Sequence, residues 1–157
     1  MKRLGKAILR ILLLLVAGFI IHTFVVTAVP MHGNYMYPAV RDGDLCIVYR
    51  PGTVRQNEAV LYECGGKLRI GRVVAVAGST VTMSEEGSLM IDGFVPAEEI
   101  FYPTVPGEKG DSVEVGDGEW FILNDYRTER GDSRDAGCIK TSDIKGVVVF
   151  IFRRRGI

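Results

Sequence analysis

The sequence predicts a mainly β, antiparallel domain preceded by one N-terminal transmembrane helix. Three observations carry that prediction. An uncharged run from Ile11 to Val29 follows a cluster of cations, short β-prone segments succeed it, and turn residues separate those segments. A chain of 157 residues suits one such domain.

The helix comes first. Lys2, Arg3, Lys6 and Arg10 precede the apolar run, and residues 1–30 contain no acid. Nineteen helical residues at about 1.5 Å each reach about 28 Å, close to the thickness of a bilayer's hydrocarbon core. Cations on one flank leave residues 1–10 in the cytoplasm, residues 11–29 across the membrane and residues 30–157 outside it. The predicted location is thus the cell membrane, single-pass, with the C-terminal domain extracytoplasmic. Val26-Thr27-Ala28 also resembles a signal-peptide cleavage site, but the run exceeds the 7–15 residues usual for a signal-peptide core.

The strands follow. Leu45–Tyr49, Ala59–Glu63, Leu68–Val76, Thr80–Met83, Leu89–Ile91, Trp120–Leu123 and Gly146–Phe152 are rich in β-branched and aromatic residues. Pro51-Gly52, Gly65-Gly66, Gly78-Ser79, Asp92-Gly93 and Gly116-Asp117-Gly118 punctuate them. Close spacing without intervening helices predicts an antiparallel sandwich or barrel-like domain. Residues 102–112, with Pro103, Pro106, Gly107 and Gly110, read as an exposed loop.

Charge and cysteine content narrow the function. Nineteen basic and nineteen acidic residues cancel, but residues 31–157 carry 15 Lys/Arg against all 19 acids, a net of −4. A mildly acidic body argues against nucleic acid as a partner. Cys46, Cys64 and Cys138 cannot all pair within one chain. A hairpin of 45–50 with 59–64 would set Cys46 near Cys64, where an exported location permits a bridge. No His/Cys spacing suits a metal, so neither metal nor cofactor is expected. The closing Arg153-Arg154-Arg155 reads as a solvated end, or as a contact with anionic lipid if the last strand ends near a bilayer.

Three segments carry a resemblance. Gly33-Asn34-Tyr35-Met36-Tyr37-Pro38-Ala39-Val40 is followed by Gly43-Asp44, Ile70-Gly71-Arg72-Val73 leads to a turn at Gly78, and Asn124-Asp125 leads to Asp132-Ser133-Arg134. In this order, behind one apolar helix, they resemble the nucleophile, base and Asp-Ser-Arg boxes of type I signal peptidases. The resemblance implies that family's β domain over nearly the whole chain.

It also implies a chemistry that these residues do not supply. In the family a serine attacks the substrate carbonyl and a lysine takes its proton, which requires a neutral amine against the hydroxyl. Tyr35 stands at the serine position, and a phenol is a bulky, poor acyl-transfer nucleophile. Gly71 stands at the lysine position and cannot accept a proton. Arg130 replaces the serine that orients the lysine. Lys67 lies four residues before Gly71, about 13 Å along an extended strand, and Arg72 stays charged. His32 lacks a matching nucleophile, and Ser133 sits within Asp132-Ser133-Arg134, which with Asp125 the resemblance makes a structural brace.

What remains is a surface. Gly33, Asn34, Tyr35, Met36, Tyr37, Pro38, Gly71, Arg72 and Arg130 would form a vestigial or peptide-binding site, with Met36, Tyr37 and Pro38 either meeting the bilayer or packing on the domain. An extended peptide can add to an exposed strand edge through main-chain hydrogen bonds, which needs no catalytic pair. The losses resemble those of signal-peptidase-like proteins that assist pilus assembly in Gram-positive bacteria. That resemblance implies a membrane-bound accessory for an exported or pilin segment, with a sortase or an active signal peptidase as further partners. The alternative is an active signal peptidase.

Overall fold

The computed structural model describes residues 2–97, 100 and 102–153, with side chains omitted for residues 2–5 and 20–23. Helix α1 spans Lys2–Phe24. Strands β1 Val26–Pro30, β2 Leu45–Tyr49, β3 Ala59–Cys64, β4 Lys67–Val76, β5 Thr80–Met83 and β6 Leu89–Ile91 follow it. After them come β7 Ser112–Glu114, β8 Glu119–Leu123, the short helix α2 Ser133–Ala136, β9 Ile139–Lys140 and β10 Ile144–Phe152.

The N-terminal expectation is corrected at its end. The helix stops at Phe24, and residues 26–30, expected inside a spanning helix, form β1 against β2. Val25, Val26, Thr27 and Val29 are β-branched and suit a pleated strand, and Pro30 cannot donate to a helix ladder. Among the described residues no helix is long and apolar enough to cross a membrane. The described side chains of α1 are nevertheless exposed, including Leu12, Leu14, Leu15 and Phe19.

The strands form a seven-stranded antiparallel sheet in the order β1-β2-β10-β3-β4-β8-β9 and a three-stranded sheet in the order β6-β5-β7. Strand β10 lies between β2 and β3, pairing Ile151 with Cys46 and Val147 with Val60. The expected hairpin of β2 with β3 is therefore absent, and Cys46, Cys64 and Cys138 are all free thiols. The expected strand segments all appear, while β1, β7 and β9 are additional. Arg154 and Arg155, for which a lipid contact was considered, lie outside the described residues.

Alternation along β3 and β4 divides the core. Leu61 and Ile70 join Met31, Met36, Cys46 and Val48 on one face, while Val60, Tyr62 and Val73 join Ile122 and Val147 on the other. The small sheet packs Val81, Met83 and Leu89 against Phe121 and Leu123 of the large one. Residues 102–112 form the expected loop, exposed at 103 and 108–112, but it is anchored between those stretches. Thr104 is buried, its amide donates to the Gly87 carbonyl and its hydroxyl accepts from Arg127. Gly107 lies so close to the Arg134 carbonyl that a Cβ there would meet it at 2.3 Å.

Candidate functional site

The first box folds as a tight loop between β1 and β2. Gly33, at φ 84°, donates its amide to the Asp42 carboxylate at 2.7 Å, and the Asn34 side-chain oxygen accepts the Asp42 amide at 3.1 Å. These reciprocal bonds hold Tyr35 half-buried above Met36, and the Tyr35 carbonyl accepts the Tyr126 amide at 3.0 Å. Met36 is fully buried, so it packs on the domain and does not offer an apolar tip to a bilayer. Tyr37 and Pro38 are exposed, with the Arg41 guanidinium 5.3 Å from the Tyr37 ring centroid.

Gly71 sits in β4 opposite Val60 of β3. Its open side is filled: a Cβ there would approach Ile122 Cγ2 to 2.5 Å and Tyr62 Cε1 to 2.9 Å. The Tyr62 ring, from the neighbouring strand, occupies the volume into which a side chain at position 71 would grow. Burial pushes the Tyr62 phenol's pKa well up, with Arg69 pulling it the other way. Although Arg69 lies near enough to act on that phenol, neither the Tyr62 hydroxyl nor Arg69 Nε has a partner at hydrogen-bonding geometry.

Arg69 is a residue that reading by box position missed. Its guanidinium lies 4.9 Å from the Tyr35 ring centroid and reaches the Arg130 carbonyl at 3.4 Å. The signal that could have found it is spacing: in a strand, residues 69 and 71 project to the same side, so a lost side chain at 71 directs attention two residues back. Arg130 is held elsewhere, its guanidinium donating to the Pro106 carbonyl at 2.8 Å and to Asp135 at 2.7 Å. Partial burial alone would raise the Asp135 pKa. The Gly131 amide and the Arg130 guanidinium outweigh that effect and hold it below the ordinary carboxylate value.

Below this surface lies a charged frame. Arg134 and Asp132 are fully buried and joined by two side-chain hydrogen bonds, at 2.9 and 2.7 Å, while the Asp132 carboxylate also accepts the Arg134 and Asn124 amides, each at 3.1 Å. The remaining Arg134 donors go to the carbonyls of Arg127 and Glu129, each at 2.6 Å. The Ser133 hydroxyl accepts the buried Ile122 amide at 3.0 Å, so it faces the protein interior. Asp125 pairs with Arg72 through a second fork, at 2.7 and 2.6 Å, which ties the third box to β4. Bidentate pairs of this kind fix orientation as well as supply energy.

The three thiols differ in exposure, Cys64 and Cys138 being half-buried. Cys46 is fully buried, and burial first, then the Asp44 charge, pushes its thiol up to about 11. Cys138 is half-buried, and burial raises its thiol too. A thiol shifted this way is a weak nucleophile near neutral pH.

A cleft of about 410 Å³ opens beside Tyr35, between the end of β1 and the start of β4. His32 and Tyr35 lie on one side, and Lys67 and Arg69 on the other. Its backbone walls are incomplete strands. β1 pairs only with β2, and the pairing of β4 with β8 begins at Arg72, leaving residues 67–71 bonded on the β3 side alone. Chemically the site offers a phenol, cations and open strand edges.

The family described as signal peptidase, peptidase S26, matches residues 2–153. Signal peptidase IB of Staphylococcus aureus is 26% identical over 173 residues, spanning 96% of this chain and 90% of that protein. Signal peptidase I T of Bacillus subtilis is 28% identical over 165 residues, spanning 94% and 83%. The crystal structure of a signal peptidase I from Enterococcus faecalis superposes with a TM-score of 0.54 at 21% identity, over 62% of this chain and 98% of the other, a likeness of fold.

Proposed function

The chain belongs to the signal peptidase S26 family, and from that premise we propose that it is a membrane-anchored, non-catalytic member that holds an extended segment of an exported protein, a pilin in the leading case. The observation that carries this reading is the filled base position: Tyr62 and Ile122 occupy the space beside Gly71. Tyr35 at the nucleophile position supports it, since a phenol paired with a guanidinium offers no general base near neutral pH. The open edges of β1 and β4 support binding, because main-chain hydrogen bonding to a strand edge needs no reacting group. In this reading α1 anchors the chain through its exposed apolar side chains, with the cationic N-terminus cytoplasmic and the β domain outside.

Incubating the full chain in detergent with a preprotein, beside an active family member, tests the proposal. Only the control should release a trimmed leader. A cleavage product from this chain alone overturns the non-catalytic reading. Shortened or irregular pili in a deletion strain, and copurification with pilins, a sortase or an active signal peptidase, would be the cellular counterpart; unchanged polymers would remove pilins as clients.

A second reading, an active signal peptidase that cleaves leaders by another residue, is favoured by the relatives' names, since signal peptidases from two genera align over 94% or more of this chain. The same cleavage assay separates the two.

A further inference from the structure

The cleft beside Tyr35 continues into a second groove of about 380 Å³, with which it shares Val29, Leu61 and Leu68. Together they make one channel along the open edges of β1 and β4. Its charges are one-sided. Lys67 and Arg69 line the first part and Arg50 and Lys145 the second, against the single acid Glu63, which already meets Lys145 at 3.3 Å. Arg50 donates to the Thr27 hydroxyl, and Lys67, Arg69 and Arg50 have no carboxylate within 4.0 Å among the described residues. The chain after residue 30 is net acidic, so this strip runs against the charge of the body.

Arg69 is the focus of that field. It is half-buried and rests on the Tyr35 ring, with its buried Nε turned away from solvent and one terminal nitrogen 3.4 Å from the Arg130 carbonyl. A partly desolvated guanidinium without an anion is costly, and its planar fork fits a carboxylate better than any other common group in a polypeptide.

We propose that this channel selects extended segments carrying an aspartate or glutamate side chain, which docks on Arg69 while the segment's backbone lies along the open strand edges. The proposal rests on the peptide-holding reading above and adds the chemistry of its client. Charge complementarity decides the occupant: cations line the channel, apolar side chains such as Leu68 flank them, and the edges require an extended chain.

Fluorescence anisotropy with the full chain in detergent tests this, using labelled ten-residue β-prone peptides, acetylated and amidated, that differ only in a central Asp, Asn or Lys. The Asp peptide should bind about tenfold tighter than the Asn peptide, as one charge-assisted hydrogen-bonded pair predicts, and the Lys peptide weakest. High salt should narrow the gap. Arg69→Gln should abolish the Asp preference, and Arg69→Lys should retain part of it. Equal binding of Asp and Asn peptides, or a preference that persists in Arg69→Gln, overturns the acidic-client inference and leaves peptide holding intact. A fourth peptide, the Asn sequence with a free C-terminal carboxylate, should bind more weakly than the amidated Asp peptide; tighter binding also overturns the inference. Failure of every peptide to bind sinks peptide holding itself, and this inference with it.

Discussion

The ring of Tyr62 stands where a side chain at Gly71 would project, 2.9 Å from the Cβ that any larger residue would bring. The two positions lie on adjacent strands, Gly71 opposite Val60 and Tyr62 opposite Arg69. The absent side chain at 71 and the large one at 62 are therefore one packing solution, and a longer side chain at 71 requires Tyr62 to move.

Gly71→Lys should lower stability by about 1–3 kcal/mol, the usual cost of forcing volume into a packed core. Tyr35→Ser with Gly71→Lys should give no cleavage while Tyr62 is present. A trace of product should appear only when Tyr62→Ala is added. Denaturant midpoints and a preprotein assay check both; an unchanged midpoint for Gly71→Lys with Tyr62 intact contradicts the packing account.

Tyr62→Phe should stabilise the domain by about 1 kcal/mol, because the hydroxyl is buried without a hydrogen-bond partner and its removal abolishes a desolvation cost. Urea unfolding at constant m-value reads this directly. A loss of stability would mean that the hydroxyl contributes through Arg69.

Arg134→Ala should cost about 3 kcal/mol or more, since it strands the buried Asp132 carboxylate, and the protein is expected to unfold earlier on heating. Arg130→Ala removes a pair that is partly exposed and should cost no more than about 1 kcal/mol. Comparable losses would contradict the difference in burial.

Acid dependence follows from Asp135. Its folded pKa lies below the unfolded value, so the folded chain binds fewer protons between the two. The stability it contributes is complete above about pH 4, the ordinary aspartate value, and is lost as pH falls through the depressed one. The stability difference between wild type and Asp135→Asn should therefore shrink as pH falls below about 4. Thermal melts across that window measure it.

Alkylation at pH 8 should label Cys64 and Cys138 in the native chain, spare the buried Cys46, and reach all three thiols in denaturant. Labelling of Cys46 at the rate of Cys64 would contradict its burial.

Local features were legible in the sequence because they depend on near neighbours. Leu45–Tyr49 and Thr80–Met83 are β-branched or aromatic runs closed by turn residues, and they form strands with the expected bounds. The tyrosine and glycine at positions 35 and 71 were equally plain, since residue identity needs no fold. Strand β1 was hidden because an apolar run that continues from a helix gives no periodic sign of its change. The place of β10 between β2 and β3 joins residues about a hundred positions apart, and no local pattern specifies such a partner. The same limit applies to the site: that Tyr62 fills the space beside Gly71, and that Arg69 covers Tyr35, depends on how strands and loop meet in space. Residue identities alone fix which functional groups positions 35, 71 and 130 carry. What fills the space beside Gly71 is set by the packing of strands, because close packing depends on contacts between distant residues.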